Sequence, residues 1–178
     1  AEGFSIDGLN APLFATTAAT IKNLNLTGVD ITVNDIAKLG AIACTINGGS
    51  LNNCSASGKI EINNTKLVPS ENTWNIISYG GIVGSLSGAT VENVTNNVNI
   101  TLNQVCHTDN VAASYISIGG ITGYTTAGTH ANVANNGALT VNSTTNWIAV
   151  GGCYGYGADN VTGATNSADI TFANVEGT

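Results

Sequence analysis

The chain holds few side chains that could carry acid–base or nucleophilic chemistry. Of its 178 residues, 11 are Asp or Glu, 4 are Lys, 2 are His and none is Arg. Enzymes that cleave polysaccharides pair two carboxylates across the scissile bond, whereas the acidic residues here are scattered. No H-E-x-x-H zinc motif is present, and the segment 84–88, GSLSG, has Leu86 where a nucleophile elbow requires serine. The sequence therefore predicts no catalytic residues and no cofactor.

The cysteines and histidines are poor candidates for a metal site. His107 lies beside Cys106, but one Cys–His pair without matching ligands is a weak zinc signal. The Gly- and Asn-rich segments also lack the regular Asp repeat of calcium-binding solenoids, so the sequence predicts no metal. Cys44 and Cys54 are predicted to be buried free thiols, with a disulfide between them as the alternative.

Aromatic side chains are the residues that most suggest binding. Strand alternation places Tyr124 and Tyr156 outward on successive repeats, with Tyr154 two places before Tyr156. A bulge at the preceding Gly-Gly pairs resets the alternation and places Tyr115 and Trp147 outward as well. An exposed aromatic row suits stacking on sugar rings or contact with a protein partner. The alternative is that these rings cover the sheet surface or pack on an adjoining domain.

The composition bounds the fold that must position these residues. Charged residues make up 8% of the chain and the pI is about 4.3, so no basic patch exists for nucleic acid or anionic membrane. No run of apolar residues is long enough to insert in a membrane. The 25 Asn, 23 Thr and 22 Gly outnumber good helix formers, which excludes a helical bundle and favours short strands joined by Asn and Gly corners.

Internal repetition is the strongest feature of the sequence. Five copies of a unit of about 24 residues align, approximately at 11–34, 39–63, 79–103, 118–142 and 150–174. The aligned columns alternate between apolar and polar residues, which is typical of half-buried strands. Because each column keeps its character from copy to copy, we expect the strands to stack in register along one axis.

Four apolar columns define the predicted core. They are Ile21, Leu51, Val91, His130 and Val161; Leu24, Cys54, Val94, Val133 and Ala164; Ile31, Ile60, Ile100, Leu139 and Ile170; and Val33, Ile62, Leu102, Val141 and Phe172. The last two columns flank an outward column of Thr32, Glu61, Thr101, Thr140 and Thr171. The histidine in the first column is predicted to be buried or to lie at a corner.

Asparagine also falls into columns. One contains Asn23, Asn53, Asn93 and Asn132, with Gly163 in the last copy, and another contains Asn34, Asn63, Asn103 and Asn142, with Asn174 one place late. A corner asparagine accepts left-handed backbone geometry, and stacked amides can bond to the copies above and below. These columns are therefore predicted to be structural.

The repeat resembles the GLUG motif. Gly81-Ile82-Val83-Gly84 and Gly120-Ile121-Thr122-Gly123 match it well, and the former is followed by a glycine-containing turn and the strand Ala89-Thr90-Val91-Glu92-Asn93-Val94. Segments 12–15, 41–44 and 152–155 depart from the motif at one or more positions. The resemblance covers residues 10–174 and implies a large secreted or cell-surface bacterial protein, adhesin-like proteins among them. Similar repeats also lie beside the catalytic domain of some IgA-cleaving peptidases, and they carry no catalytic residues of their own.

Together these features predict one all-β domain over residues 1–178, a right-handed β-solenoid (β-helix) of about five coils. The predicted function is a non-catalytic structural or adhesive module of an extracellular or cell-surface protein, with an unidentified protein or glycan partner. A carbohydrate-binding module is the alternative, and a polysaccharide-active enzyme is less favoured.

A solenoid exposes unpaired strand edges at its two ends, and the sequence shows no evident cap. We therefore expect the chain to be part of a longer protein, with neighbouring domains or self-association covering at least one end.

Overall fold

The computed structural model describes residues 3–65, 76–105, 115–143 and 148–174, and these residues form 17 β-strands with no helix among them. The prediction of an all-β chain is confirmed. None of the described elements is a helix that could cross a membrane. The strands are β1 Phe4–Asp7, β2 Phe14–Thr17, β3 Thr20–Lys22, β4 Leu24–Asn34, β5 Lys38–Leu39, β6 Ala43–Asn47, β7 Ser50–Asn64, β8 Ile76–Gly80, β9 Val83–Ser87, β10 Thr90–Gln104, β11 Tyr115–Gly119, β12 Thr122–Asn135, β13 Leu139–Ser143, β14 Ile148–Gly151, β15 Tyr154–Thr162, β16 Thr165–Asn166 and β17 Ile170–Asn174.

All described strand pairings are parallel, and they join successive repeats. A 13-stranded curled sheet contains the order β1-β4-β7-β10-β12-β9-β6-β2, and a second sheet has the order β14-β11-β8-β5. The long strands β7, β10 and β12 each pass through a corner at a residue with positive φ (Asn53, Asn93 and Asn132, respectively). This arrangement is compatible with a β-helix or solenoid.

The register of the pairing is the one that the columns predict. Val91 lies opposite Leu51 and His130, and Ile100 lies opposite Ile60 and Leu139. The register continues to the last repeat, where Val161 pairs with His130 and Phe172 with Val141. The middle members of these columns are at most 2% exposed, so the columns form the core.

The corner asparagines adopt the predicted left-handed backbone. Asn23, Asn53, Asn93 and Asn132 have φ of 57°, 53°, 54° and 52°, and Gly163 takes the position in the last repeat with φ 68°. Their side chains also bond between repeats: Asn53 Nδ2 donates to Asn23 Oδ1 at 2.8 Å, and Asn132 Nδ2 donates to Asn93 Oδ1 at 3.2 Å. Asparagine adopts the left-handed backbone region at a small energetic cost. The same residue can therefore form the corner and bond to its counterpart in the next repeat.

The second asparagine column also forms a ladder. Asn103 Nδ2 donates to Asn63 Oδ1 at 2.8 Å, and Asn142 Nδ2 donates to Asn103 Oδ1 at 2.9 Å. In the last repeat Ala173 lies opposite Asn142, so Asn174 is one place late, as the sequence indicates. The side-chain amides have the same spacing as the adjacent strands, so they add side-chain hydrogen bonds to the backbone hydrogen bonds between repeats.

The middle strands of the second sheet, β8 and β11, lie inside the molecule. In β8, Ile77, Ser78 and Tyr79 are all at most 2% exposed, so both faces of this strand are covered. The Tyr79 hydroxyl donates to the Ile36 carbonyl at 2.6 Å and accepts from Asn64 Nδ2 at 2.6 Å, which ties β8 to the end of β7. Burial raises the pKa of the Tyr79 hydroxyl, so it stays protonated as a donor.

A column of glycines lets β9, β12 and β15 approach the second sheet closely. A Cβ on Gly84 would lie 2.7 Å from the Leu39 nitrogen, and one on Gly123 would lie 2.7 Å from the Ser117 oxygen. One on Gly155 would lie 2.5 Å from the Ile118 nitrogen. These contacts are with backbone atoms, which cannot rotate away, so only glycine fits.

Cys44 occupies the glycine column in the second repeat. Each glycine of the column contacts a strand of the second sheet from the preceding repeat: Gly84 contacts β5, and Gly123 contacts β8. In chain order, β5 is the first strand of that sheet. Since no earlier strand of the second sheet lies before β5 in the described part of the chain, a larger side chain fits at Cys44. This accounts for the departure of segment 41–44 from the glycine pattern.

The glycine column generates a stability prediction. Gly123→Ala should lower the free energy of unfolding by about 2 kcal/mol or more, because the added methyl group overlaps backbone on two strands of the second sheet. Urea denaturation monitored by circular dichroism measures the loss. Gly3→Ala is the matched control, since a Cβ there lies 3.5 Å from its nearest neighbour, the Asn23 oxygen. Equal midpoints for the two variants would show that the two sheets are not in close contact.

Candidate functional site

The outward column on β6, β9, β12 and β15 holds the two tyrosines that the structure brings together. Tyr124 lies opposite Tyr156, and in earlier repeats Thr45 and Ser85 occupy the column. The two rings stack with centroids 5.8 Å apart and an interplanar angle of 3°. Tyr156 is 53% exposed, whereas Tyr124 is half-buried. The aromatic row is thus two residues long in these four strands.

The stacking geometry limits what the pair can bind. Neighbouring strands are about 4.8 Å apart, so the parallel rings stack along the direction in which the repeats follow one another. One face of Tyr124 therefore lies against Tyr156. A sugar that stacks on an aromatic residue needs an accessible ring face. Stacking covers the faces that Tyr124 and Tyr156 turn toward each other, so an accessible face would come from the exposed side of Tyr156.

Tyr154 does not belong to this row, which corrects the outward placement expected from alternation. It packs against the hydrophobic core, and its ring meets the His130 ring edge-on with centroids 4.9 Å apart. Tyr154 pairs with Thr122, which is fully buried, as is Val83 in the same column. This column directly follows the chain reversal at the Gly-Gly pairs, and simple alternation does not hold there.

The remaining two candidates are not placed in the row. Tyr115 is the first residue of β11, in the second sheet, where it pairs with the half-buried Ile76. Its side chain lies outside the described part of the structure, as does the whole of Trp147. Tyr115 belongs to the second sheet, whereas Tyr124 and Tyr156 belong to the first, so these three tyrosines do not form one row.

A surface cleft follows the tyrosines along the same strands. It has a volume of about 570 Å³, and its lining includes Gly88, Thr90, Ala127, Thr129 and Asn160. Gly88 and Ala127 both have positive φ, 63° and 54°, where the chain turns the corner after β9 and within β12. The described lining residues offer hydroxyl, amide and backbone hydrogen-bonding groups, and none of them is acidic, basic or a thiol. These groups match those of a polar ligand, and the described lining includes no side chain suited to acid–base chemistry.

The thiols and the acids of the described residues are dispersed. No group of three His, Cys, Asp or Glu that could hold a metal occurs within the ranges that the structure describes. Cys44, Cys54 and Cys153 are free thiols, so the disulfide alternative for Cys44 and Cys54 is wrong. Burial raises the pKa of each of these three thiols, which keeps them protonated and weakly nucleophilic.

A third asparagine ladder, inside the core, was not detected in the sequence analysis. Asn96 Nδ2 donates to Asn135 Oδ1 at 2.7 Å, and Asn135 Nδ2 donates to Asn166 Oδ1 at 2.7 Å. Asn96 and Asn135 are fully buried. The earlier members of this column are Leu26 and Ala56, so the asparagines occupy only three of five positions and the column does not stand out in the alignment.

Glycines make room for this internal ladder. A Cβ on Gly81, Gly120 or Gly152 would overlap the side chain of Asn96, Asn135 or Asn166, respectively. The second repeat has alanine at both corresponding positions, Ala41 and Ala56, and both are fully buried. The second glycine of each Gly-Gly pair is therefore required by the asparagine that packs against it. In the second repeat, where the asparagine is replaced by alanine, the glycine is replaced by alanine as well.

Comparison with known proteins gives one match. Residues 1–58 match the family model described as the M26 IgA1-specific Metallo-endopeptidase N-terminal region. The chain is similar to that region over 58 of its 178 residues. No curated protein matches the chain, and no solved structure matches it. The part similar to the M26 N-terminal region includes β1 to β6 and ends within β7.

The internal ladder generates a pH-dependent prediction. Asn135→Asp should destabilise the protein strongly at pH 7, because it removes the donor to Asn166 and buries a carboxylate. Burial raises the pKa of the introduced acid in the folded state, so the folded state binds the proton more tightly than the unfolded state. Stability should therefore be regained as pH falls toward about 4.

Asn136→Asp is the matched control, because Asn136 is exposed and bonds to Asn97 and Ser167 at the surface. Its loss of melting temperature at pH 7 should be small. Thermal melts of both variants from pH 4 to 8 make the measurement. A parallel pH profile for the two variants would contradict the buried ladder.

Proposed function

We propose that the chain is a non-catalytic structural module of a secreted or cell-surface bacterial protein, built as a right-handed β-solenoid of about five coils. The observation that carries this proposal is the use of the interior polar groups. The buried amides of Asn96 and Asn135 bond to each other and to the backbone rather than to an open site. These two amides therefore hold successive repeats together and offer no free group to a ligand.

The proposed solenoid rests on the order of the parallel pairings. Each repeat pairs with the one before it and the one after it, and the apolar columns run through the stack. Five repeats in the sequence would give about five coils. A right-handed course is the expected one, since parallel strands joined by crossover connections are almost always right-handed.

The proposed location outside the cell is supported by the M26 match. The matching family is described as specific for IgA1, and an immunoglobulin is a secreted protein. The matched portion is described as an N-terminal region, which agrees with a module that accompanies a catalytic domain rather than one that performs the cleavage. We infer that this chain works in the same kind of setting, as a spacer or an adhesive surface.

Glycan binding is the second candidate, and one observation favours it. Tyr156 is 53% exposed, and the cleft lined by Thr90, Thr129 and Asn160 lies further along the same strands. An aromatic group beside hydroxyl and amide groups suits a sugar. The stacking of Tyr124 on Tyr156 reduces the accessible aromatic surface, so we rank this candidate below a structural module. A polysaccharide-active enzyme ranks third, because no carboxylate is among the described residues that line the cleft.

Two assays on the purified chain separate these functions. We expect no cleavage of IgA1 with or without added zinc, and no glycan-array signal that depends on Tyr156. Tyr156→Ala and its control Phe14→Ala remove exposed aromatic rings at opposite ends of the described structure, 53% and 38% exposed in the native chain. A glycan signal that Tyr156→Ala abolishes and Phe14→Ala preserves would establish the binding module instead. Zinc-dependent cleavage of IgA1 would contradict a non-catalytic role.

A further inference from the structure

We propose that the C-terminal face, formed by β15, β16 and β17, is a docking surface for one further parallel β-layer that carries a hydrogen-bond acceptor opposite Asn166. The partner is thus a repeat of the same type with asparagine in the internal ladder column, and not a second copy of this chain stacked end to end. Of the two expected ways to cover an end of the stack, a neighbouring domain and self-association, the geometry favours the neighbouring domain.

The C-terminal face is the surface that every earlier repeat buries. Val161, Ile170 and Phe172 are 44%, 44% and 49% exposed. The residues one repeat earlier in these columns, His130, Leu139 and Val141, are fully buried. The exposed apolar groups therefore continue an interface that already exists within the chain, and the same kind of layer would cover them.

The strands of this face also have edges that can pair with a further strand. In the described part of the chain, β15 and β16 pair with β12, and β17 pairs with β13, each along one edge only. The opposite edges direct N–H and C=O groups outward, which makes them a template for strand addition. Because β15, β16 and β17 pair in parallel with the preceding repeat, the added layer would be parallel too.

The internal ladder has a direction that identifies the partner. Asn96 and Asn135 each donate one Nδ2 hydrogen to a carbonyl two residues ahead and the other to the asparagine of the next repeat. Asn166 repeats the first of these bonds, with Nδ2 2.9 Å from the Ala168 oxygen. Its other hydrogen is directed toward the position of a following layer, where an asparagine Oδ1 would accept it.

The opposite end of this chain lacks such an acceptor. In the ladder column, Leu26 is covered by Ile6 of β1, which pairs with it in parallel. A second copy stacked end to end would place the apolar Ile6 over the Asn166 amide. The donor would then be buried without an acceptor, which is unfavourable. A further layer with asparagine in this column avoids that loss.

A peptide-binding experiment tests the proposal on the intact chain. The probe is a synthetic peptide with the sequence of residues 120–143, which carries Asn135 in the ladder column and Leu139 and Val141 in the apolar columns. The control peptide differs only by Asn135→Leu. Hydrogen exchange of residues 154–174 is followed during titration with each peptide, and sedimentation velocity reports the size of the chain alone.

The native peptide should slow exchange across the C-terminal face, and the control should bind about tenfold more weakly, the effect of one lost hydrogen bond. The chain alone should stay monomeric. In the chain, Asn166→Leu should abolish the preference for the native peptide, whereas Thr171→Leu, outside the ladder on β17, should preserve it. Equal binding of the two peptides, no protection by either, or an end-to-end dimer of the chain would overturn the proposal.

Discussion

Each repeat of this protein stacks on the preceding one in parallel and in register, and this constraint governs which residues the chain can use. A side chain in the stack lies about 4.8 Å from its counterpart in the next repeat. Apolar groups, amides and threonines tolerate their own copies at that distance, whereas like charges repel. This explains why charged residues make up only 8% of the chain. One charge in the described strands lies opposite a charge of the other sign: Asp30 lies opposite Lys59 and bonds to it at 3.2 Å.

Glycine is required where the strands of the first sheet pack directly against the second sheet. The middle strands of the second sheet, β8 and β11, are covered on both faces. The strands β9, β12 and β15 approach the second sheet so closely that Gly84, Gly123 and Gly155 leave no room for a Cβ. The Gly-Gly pairs have a related role, since Gly120 lies against the Asn135 side chain. The glycines of the repeat are therefore positions of close contact, and most of them do not require positive φ.

The sequence was sufficient to predict the features that depend on one column at a time. The apolar columns, the left-handed corners at Asn53 and Asn93, and the surface ladders follow from residue type and repetition alone. Features that depend on contacts between distant columns were not predictable in this way. Tyr154 packs against the core because its column directly follows the Gly-Gly pairs. The Asn96 ladder fills only three of five positions in its column, and its packing against Gly81 is a contact between distant columns.

The central claim, stacking in register and in the order of the repeats, can be measured directly by disulfide trapping. Thr101 and Thr140 are opposite each other on adjacent strands, whereas Thr101 and Thr171 are separated by the strand that contains Thr140. A disulfide requires Cα atoms within about 7 Å, and two layers span about 10 Å. The account predicts rapid oxidative cross-linking of the Thr101→Cys, Thr140→Cys double variant, mapped by mass spectrometry, and little in the Thr101→Cys, Thr171→Cys variant. Preferential cross-linking of the second pair would contradict it.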